Sequence, residues 1–403
     1  RDRLAEMPNV AITLGCEFIA IEQDDAGVTC IVKHDGKLET IHSKFAVGCD
    51  GGRSLTRRYL DIQLEDLGFD EPWVVVDVKV PEGYAGLSEN GIQMCDPDRP
   101  TTCVPSGPGR HRWEFMLKPG ETAEQVLRPE SLRAWISTWI NPDDVELERS
   151  AVYNFHGLVA KQWRKGRVMI IGDAAHQTPP FMGQGMCAGL RDAANLAWKL
   201  AMVHRGDAPD TLLDSLERER RPHAKAVIQG AIDMGKIVCV LDPAKAAARD
   251  RKMIADREAG KPFVLPDVPQ IENGVLPDEI GGKVLPEGLT GDPGAPTRID
   301  DICGYVPLLI LKNAASSTSP FVHDMLSSTP LLRIAALNGT AEGCIPILDP
   351  DNIMSEMLGS DQAMLAKPDR IVFGKGGLQM LADKWQAYLT GTSFDSSQTV
   401  DAA

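Results

Sequence analysis

Two short segments combine carboxylates with glycines in a way that could build a ligand site. The first, Gly48-Cys49-Asp50-Gly51-Gly52-Arg53-Ser54-Leu55-Thr56-Arg57, follows the apolar run Phe45-Ala46-Val47. The second runs Gly172-Asp173-Ala174-Ala175-His176-Gln177-Thr178-Pro179-Pro180-Phe181-Met182-Gly183-Gln184-Gly185-Met186, directly after Val168-Met169-Ile170-Ile171. A carboxylate at the carboxyl end of a buried strand sits where open α/β sheets bind nucleotides, and it can accept hydrogen bonds from a ribose. Glycines beyond it let backbone approach a flat ligand with no Cβ in the way. A helix starting there aims unpaired N–H groups and a positive dipole end at that ligand. A ligand that gains negative charge during its reaction benefits most, and a reduced flavin is one. Taken singly, each segment also reads as an ordinary turn or strand–loop–helix connection.

Other chemistries find little support. Nine cysteines are scattered without a Cys-x-x-Cys. That spacing fits neither a disulfide framework, nor a zinc site, nor a thiol-redox module, so buried free thiols and no metal are expected. No Gly-x-Ser-x-Gly elbow is present, which disfavours a hydrolase. A net charge of −15 speaks against nucleic acid or an acidic membrane as partner. No apolar run reaches the roughly 18 residues of a membrane span, and a soluble cytoplasmic protein is expected.

Together and in this order, the two segments resemble the Asp-Gly and Gly-Asp motifs of the single-component (class A) flavin-dependent aromatic hydroxylases. Asp50, Gly51, Ser54 and Arg57 match the first motif. Gly172 to His176, Pro180, Gly183, Gly185 and then Asp192, Ala193, Leu196, Trp198, Lys199 and Leu200 match the second. The resemblance continues through Glu217-Arg218-Glu219-Arg220-Arg221-Pro222 and Lys367-Pro368-Asp369-Arg370. Within the family, Cys95 to Thr102 and Arg112 to Leu117 resemble 3-(3-hydroxyphenyl)propionate hydroxylases.

The resemblance implies an NADH- or NADPH-consuming FAD enzyme that uses oxygen to hydroxylate a phenol, 3-(3-hydroxyphenyl)propionate or a similar one. It places Asp173 on the FAD ribose, Pro180, Gly183, Gln184, Gly185 and Met186 around the flavin ring, and Gly172 among the cofactor-binding residues. Asp50, Gly51 and Arg57 would brace the cofactor. Cys187 stands where family members often carry Asn. No catalytic base is assigned; His111 and His176 are candidates. Gln93, Arg112, Trp113 and Met182 are candidates for the substrate side, with Phe115 as further cover and Arg110 or Arg112 as the cation for a propionate. The family's opening Gly-x-Gly-x-x-Gly, which cradles the pyrophosphate, is absent. The chain therefore reads as a fragment, expected to hold FAD weakly or not at all. Two rivals remain: a related monooxygenase on another phenol or a polyketide, and an inactive binding or assembly module.

The elements that must position these residues follow from hydrophobic period and turn formers. At 403 residues the chain has room for two or three domains. Val10–Leu14, Cys16–Glu22 and Val28–Val32 alternate as strands around the Asp24-Asp25-Ala26-Gly27 turn. Trp73–Val80 and Arg112–Leu117 are β-rich, and Ser131–Ile140 reads as a helix. Val168–Ile171 is a strand buried on both faces. A helix spans Gly185–His204, a capped one starts at Asp210, and helical charge follows through Arg221. Dense Gly and Pro between 260 and 296 leave no room for long elements.

The expected fold is mixed α/β. A Rossmann-like FAD-binding domain covers 1–65 and 151–255, with an inserted substrate-binding sheet domain at 66–150. A covering segment spans 256–300 and a thioredoxin-like module 301–403. That module could make the subunit contact of a homodimer or act as a lid.

Overall fold

The computed structural model describes residues 2–81, 84, 87–261 and 263–391. The last residues of the expected C-terminal module, 392–403, therefore lie outside the described part. The chain opens with an antiparallel meander of Cys16–Gln23, Val28–His34 and Lys37–Ser43. Asp24 closes its first turn by accepting hydrogen bonds from the amides of Ala26 and Gly27. The run Val10–Leu14, expected as a strand, forms none. Ile12 and Leu14 are exposed, and the segment pairs with no neighbouring strand, so alternation alone had nothing to bury against.

Val168–Ile170, fully buried, pairs in parallel with Ala46–Gly48, and Arg164–Lys165 completes a three-stranded sheet. This pairing sets the two glycine-carboxylate segments side by side at the carboxyl ends of adjacent strands. A Cβ on Gly48 would lie 2.7 Å from Cβ of Thr56, so only glycine lets the short helix Leu55–Tyr59 fold back that closely. The helix after the second segment, Gly185–Arg205, ends at Gly206 in the left-handed region. Where a capped helix was expected from Asp210 there is a 3₁₀ turn, Asp210–Asp214. The helix proper, Ser215–Val238, starts after it. A further helix, Pro243–Glu258, is N-capped by Asp242.

Chain between and beyond these strands builds a six-stranded antiparallel sheet. Its order is His176–Gln177, Glu146–Ala160, Leu64–Lys79, Arg110–Met116, Thr101–Pro105, Ile92–Met94. The period-two rule divides its faces. Val74, Val76, Val78, Cys103, Trp113 and Phe115 pack against Leu132 and Ile136 of the helix Pro129–Ile136. The other face, with Trp73, Asp77, Arg112, Glu114 and Met116, looks toward the helix Ser215–Val238; Trp73 and Met116 pack on its Val238.

Among the described residues between 260 and 296 the one regular element begins at Leu289, in the hairpin Leu289–Asp292 with Ala295–Arg298. Beyond it lies a five-stranded mixed sheet in the order Cys344–Pro346, Arg333–Asn338, Leu308–Asn313, Ala363–Ala366, Val372–Gly376. Its first three strands are parallel and the last two antiparallel, a thioredoxin-like arrangement flanked by Pro320–Ser328 and Leu378–Thr390. Its core is continuous with that of the preceding helices: Trp198 and Met202 share one cluster with Leu309, Phe373, Trp385 and Tyr388.

Candidate functional site: a cofactor cleft and an adjoining pocket

The two motif segments converge on a cleft of about 640 Å³. Gly51, Gly172, Asp173, Gly185 and Met186 line it, joined by Cys49, Gln177, Gly189 and by Asn154 and His156 of the long strand Glu146–Ala160. Cys49 is exposed there, whereas a buried thiol was expected; of the nine cysteines, only Cys103 and Cys303 are buried.

Asp50 and Arg57 shape the cleft from behind. Asp50 accepts hydrogen bonds from Ser54 Oγ at 2.5 Å and from the Thr56 amide and hydroxyl at 2.9 and 3.0 Å. Burial pushes its carboxyl up, but these bonds outweigh burial and hold it below the usual range. Arg57 donates to the carbonyls of Ala174 and Gly52, both at 2.8 Å, and so ties the two segments together. Gln177 adds a bond to the same Gly52 carbonyl.

The second segment is anchored from below by a wholly buried ionic group. Asp192 accepts from the Gly172 amide at 3.0 Å and from Arg220 Nε at 2.9 Å, and lies 2.7 Å from His176 Nε2. His176 also stacks on Trp163. This holds His176 in a structural place under the loop, away from the cleft lining. Gly172, at φ +59°, lets the chain turn from strand to loop, and the helix passes it closely at Gly189, where a Cβ would lie 3.3 Å from the Gly172 Cα.

The loop Pro180–Gly183 separates the cleft from a second cavity, of about 370 Å³. Pro180, Phe181 and Gly183 form one wall. Gln93, Thr102, Val104 and Glu114 of the sheet form the opposite one, and Met234, Val238, Phe263 and Leu265 complete the apolar lining. Phe181 is wedged edge-on against Phe69, Trp73 and Phe155. Gly235 makes room for it, since a Cβ there would lie 2.8 Å from both Phe181 and Phe69.

Of the residues singled out for substrate, Gln93 lines this cavity. Trp113 and His111 sit on the opposite face of the sheet. His111 contacts Cys103 at 3.1 Å and Trp113 ring to ring, and burial lowers its pKa. Phe115 is likewise core. Arg112 is on the cavity's side but holds Asp77 through two hydrogen bonds, at 2.7 and 3.0 Å, and Arg110 is paired with Glu148. Met182 packs on the long helix at Gly230. Gln184 accepts a hydrogen bond from Arg191 at 3.0 Å. Glu114 went unnoticed in the sequence, where nothing marks one glutamate in an alternating strand.

A parallel strand pair ending in a Gly-Asp turn, a helix aimed at a cleft, a sheet-walled pocket beside it and a thioredoxin-like module define the fold of the flavin-dependent aromatic hydroxylases. The solved structure of aklavinone-11 hydroxylase with FAD and aklavinone has this fold, with a TM-score of 0.74 at 23% identity, over 93% of this chain and 74% of that one. Residues 1–231 match the family described as FAD binding domain, and the chain belongs to it. It is 33% identical over 379 residues to a probable NADH-specific resorcinol 4-hydroxylase of Rhodococcus jostii, covering 92% of this chain and 70% of the relative. It is 38% identical over 401 residues to a 3-(3-hydroxy-phenyl)propionate/3-hydroxycinnamic acid hydroxylase of Burkholderia cenocepacia, covering 92% and 73%.

FAD fits the cleft on its own geometry. Positive-φ glycines 51, 172 and 183 line the approach, with no side chain in the way at Gly51 or Gly183. The helix Gly185–Arg205 has no side-chain cap, leaving its first N–H groups for a ligand. Among the described residues no helix is long and apolar enough to cross a membrane, and no cluster could hold a metal.

Proposed function

We propose that the chain hydroxylates a small phenol, with FAD in the cleft, NADH or NADPH as reductant and the phenol in the 370 Å³ pocket. The observation that carries this is the shared loop: Gly183 lines the pocket, while Gly185 and Met186 line the cleft. A ring in the pocket is therefore separated from a flavin in the cleft by one turn of backbone. Bound FAD supplies the redox chemistry and the activated oxygen. The protein's residues do the rest. Asp173, which lines the cleft, would hold the ribose, and the uncapped helix end would favour negative charge on the cofactor. Phe181, Met234 and Val238 exclude water from the ring. The pocket, at about 370 Å³, is at the small end for a ligand site, which favours a simple phenol over a polyketide.

The relatives' names suggest two substrates, resorcinol and 3-(3-hydroxyphenyl)propionate. The pairing of Arg112 with Asp77 and of Arg110 with Glu148, and a carboxylate in the pocket wall, favour the uncharged one. Assays are run with FAD in excess. The test is NADH consumption with product analysis across resorcinol, 3-(3-hydroxyphenyl)propionate and phenol, after an absorbance spectrum of the FAD-loaded, desalted protein. A hydroxylated product from at least one phenol is expected. NADH consumption without any hydroxylated product would sink the reading.

A further inference from the structure

Glu114 is 8% exposed, yet among the described residues nothing hydrogen-bonds its carboxylate. Buried carboxylates are ordinarily paired or bonded, so an unpartnered one that lines a cavity calls for an occupant. Its neighbours on the wall, Thr102 and Gln93, are bonded to each other. The facing wall offers Pro180, Phe181 and Gly183, with Met234 and Val238 beside them, none of them charged. The charges that reach Glu114 are those of Arg112 and Asp77 on its own sheet face, already committed to each other. An ionised acceptor with free lone pairs, opposite the flavin loop in an apolar pocket, is the group a phenol hydroxyl would seek.

We propose that Glu114 accepts the phenolic proton of the substrate. The reading rests on the phenol occupying this pocket. The phenol O–H bond breaks and a carboxyl O–H bond forms on Glu114; the electron pair stays on the phenolate oxygen, where it raises the electron density of the ring. After hydroxyl transfer the ring loses its C–H proton to water, the C–H electron pair restores the aromatic ring, and Glu114 returns the stored proton to the phenolic oxygen. Burial pushes the carboxyl up to about 6, with Arg112 pulling it down and Asp77 pushing it further up. That keeps Glu114 ionised at neutral pH and matches it to proton transfer there. The same negative charge disfavours a ring that carries its own carboxylate.

The experiment compares wild type, Glu114→Gln and Glu114→Asp, each with excess FAD. Two readouts are followed against pH: kcat/KM for resorcinol, and the calorimetric dissociation constant of resorcinol without NADH. In wild type both should worsen as pH falls through about 6, kcat/KM by about tenfold per unit once the carboxyl is protonated. Glu114→Gln should lose both limbs and about 10²–10⁴ in kcat/KM, the usual worth of general base catalysis. Glu114→Asp should keep the limbs at a lower rate. Because an unpaired buried charge is removed, Glu114→Gln should melt no lower than wild type. An acid limb that persists in Glu114→Gln overturns the proposal and leaves the hydroxylase reading intact. Wild type that neither binds nor converts any phenol overturns both.

Discussion

The cofactor cleft and the pocket proposed for the phenol share one loop but are built in opposite ways. The cleft is made of backbone: glycines, strand ends and a helix terminus, with buried ionic groups beneath to hold them. The pocket is made of side chains from four separated stretches of chain, Ile92–Glu114, Pro180–Gly183, Met234–Val238 and Phe263–Leu265. Errors in a backbone site propagate through whole segments. Errors in a side-chain site stay local, so substrate preference can change without disturbing the cofactor.

The largest expected effect comes from cutting the anchor under the cleft. Asp192→Ala would strand the buried Arg220 and release both His176 and the Gly172 amide. Leaving a buried charge unpaired costs about 3–5 kcal/mol, and this case should lie at the upper end. Chemical denaturation should show that loss, and FAD affinity should fall with it because the loop is freed. A variant that loses stability while holding FAD as well as wild type would show that the anchor serves the fold alone.

A second buried ionic group is the control, because it touches neither site. Glu219 lies 2.9 Å from Lys367 Nζ and 3.2 Å from Lys199 Nζ and accepts from Tyr388 and Asn195; Asn195 also donates to Asp369. It fastens the thioredoxin-like module to the helices of the cofactor domain. Glu219→Gln should cost about 3 kcal/mol, by stranding two lysines, with FAD affinity unchanged. Burial pushes the Glu219 carboxyl up, but the two ammonium groups outweigh burial and hold it well below 4.5. Its folded pKa is depressed, so its contribution is present above about pH 4.5 and is lost as pH falls below that. Melting temperatures measured from pH 6 down to 3 should drop more steeply in wild type than in Glu219→Gln.

Between these and the pocket stands Gly235→Ala. The added methyl would press on Phe181 and Phe69, at a cost of about 1–3 kcal/mol as overpacking. Because Phe181 belongs to the pocket wall, the KM for a phenol should rise more than the dissociation constant of FAD. Equal changes in both would mean the loop moves as one body and the two sites are not separable.

That contrast also explains what could be read from the sequence. Gly172-Asp173 and Asp50-Gly51 were legible because backbone geometry demands particular residues at particular spacings, and a buried strand announces itself as Val168-Met169-Ile170-Ile171. The Lys367-Pro368-Asp369-Arg370 motif was visible too, although its work is docking: Lys367 and Asp369 reach the helices, while Arg370 pins Asp300 and the Val306 carbonyl. The pocket was not legible. Strand alternation says that Arg112 and Glu114 share a face and that His111 and Trp113 share the other, but not which face meets the cofactor. That depends on where the helix Pro129–Ile136 packs, which is tertiary information. His176 is opaque for the opposite reason: its partner Asp192 is 16 residues away, across the loop and inside the helix Gly185–Arg205, and only the fold brings the two together.

The smallest expected effect sharpens the division most. Arg112, the cation proposed to receive a propionate, is spoken for by Asp77. Arg112→Ala removes a partly buried pair, its side chains 35% and 13% exposed, so the cost should be about 1–2 kcal/mol, a drop of a few degrees in melting. If the pocket takes an uncharged phenol, the KM for resorcinol should barely move. Arg112 does pull the Glu114 carboxyl down, however, and the Asp77 charge it leaves behind pushes it up. The acid limb of kcat/KM should therefore move to higher pH in Arg112→Ala, with its slope and plateau kept. A selective rise in the KM for 3-(3-hydroxyphenyl)propionate instead would return Arg112 to the role of carboxylate anchor. It would also mean that the Asp77 pairing opens when substrate arrives.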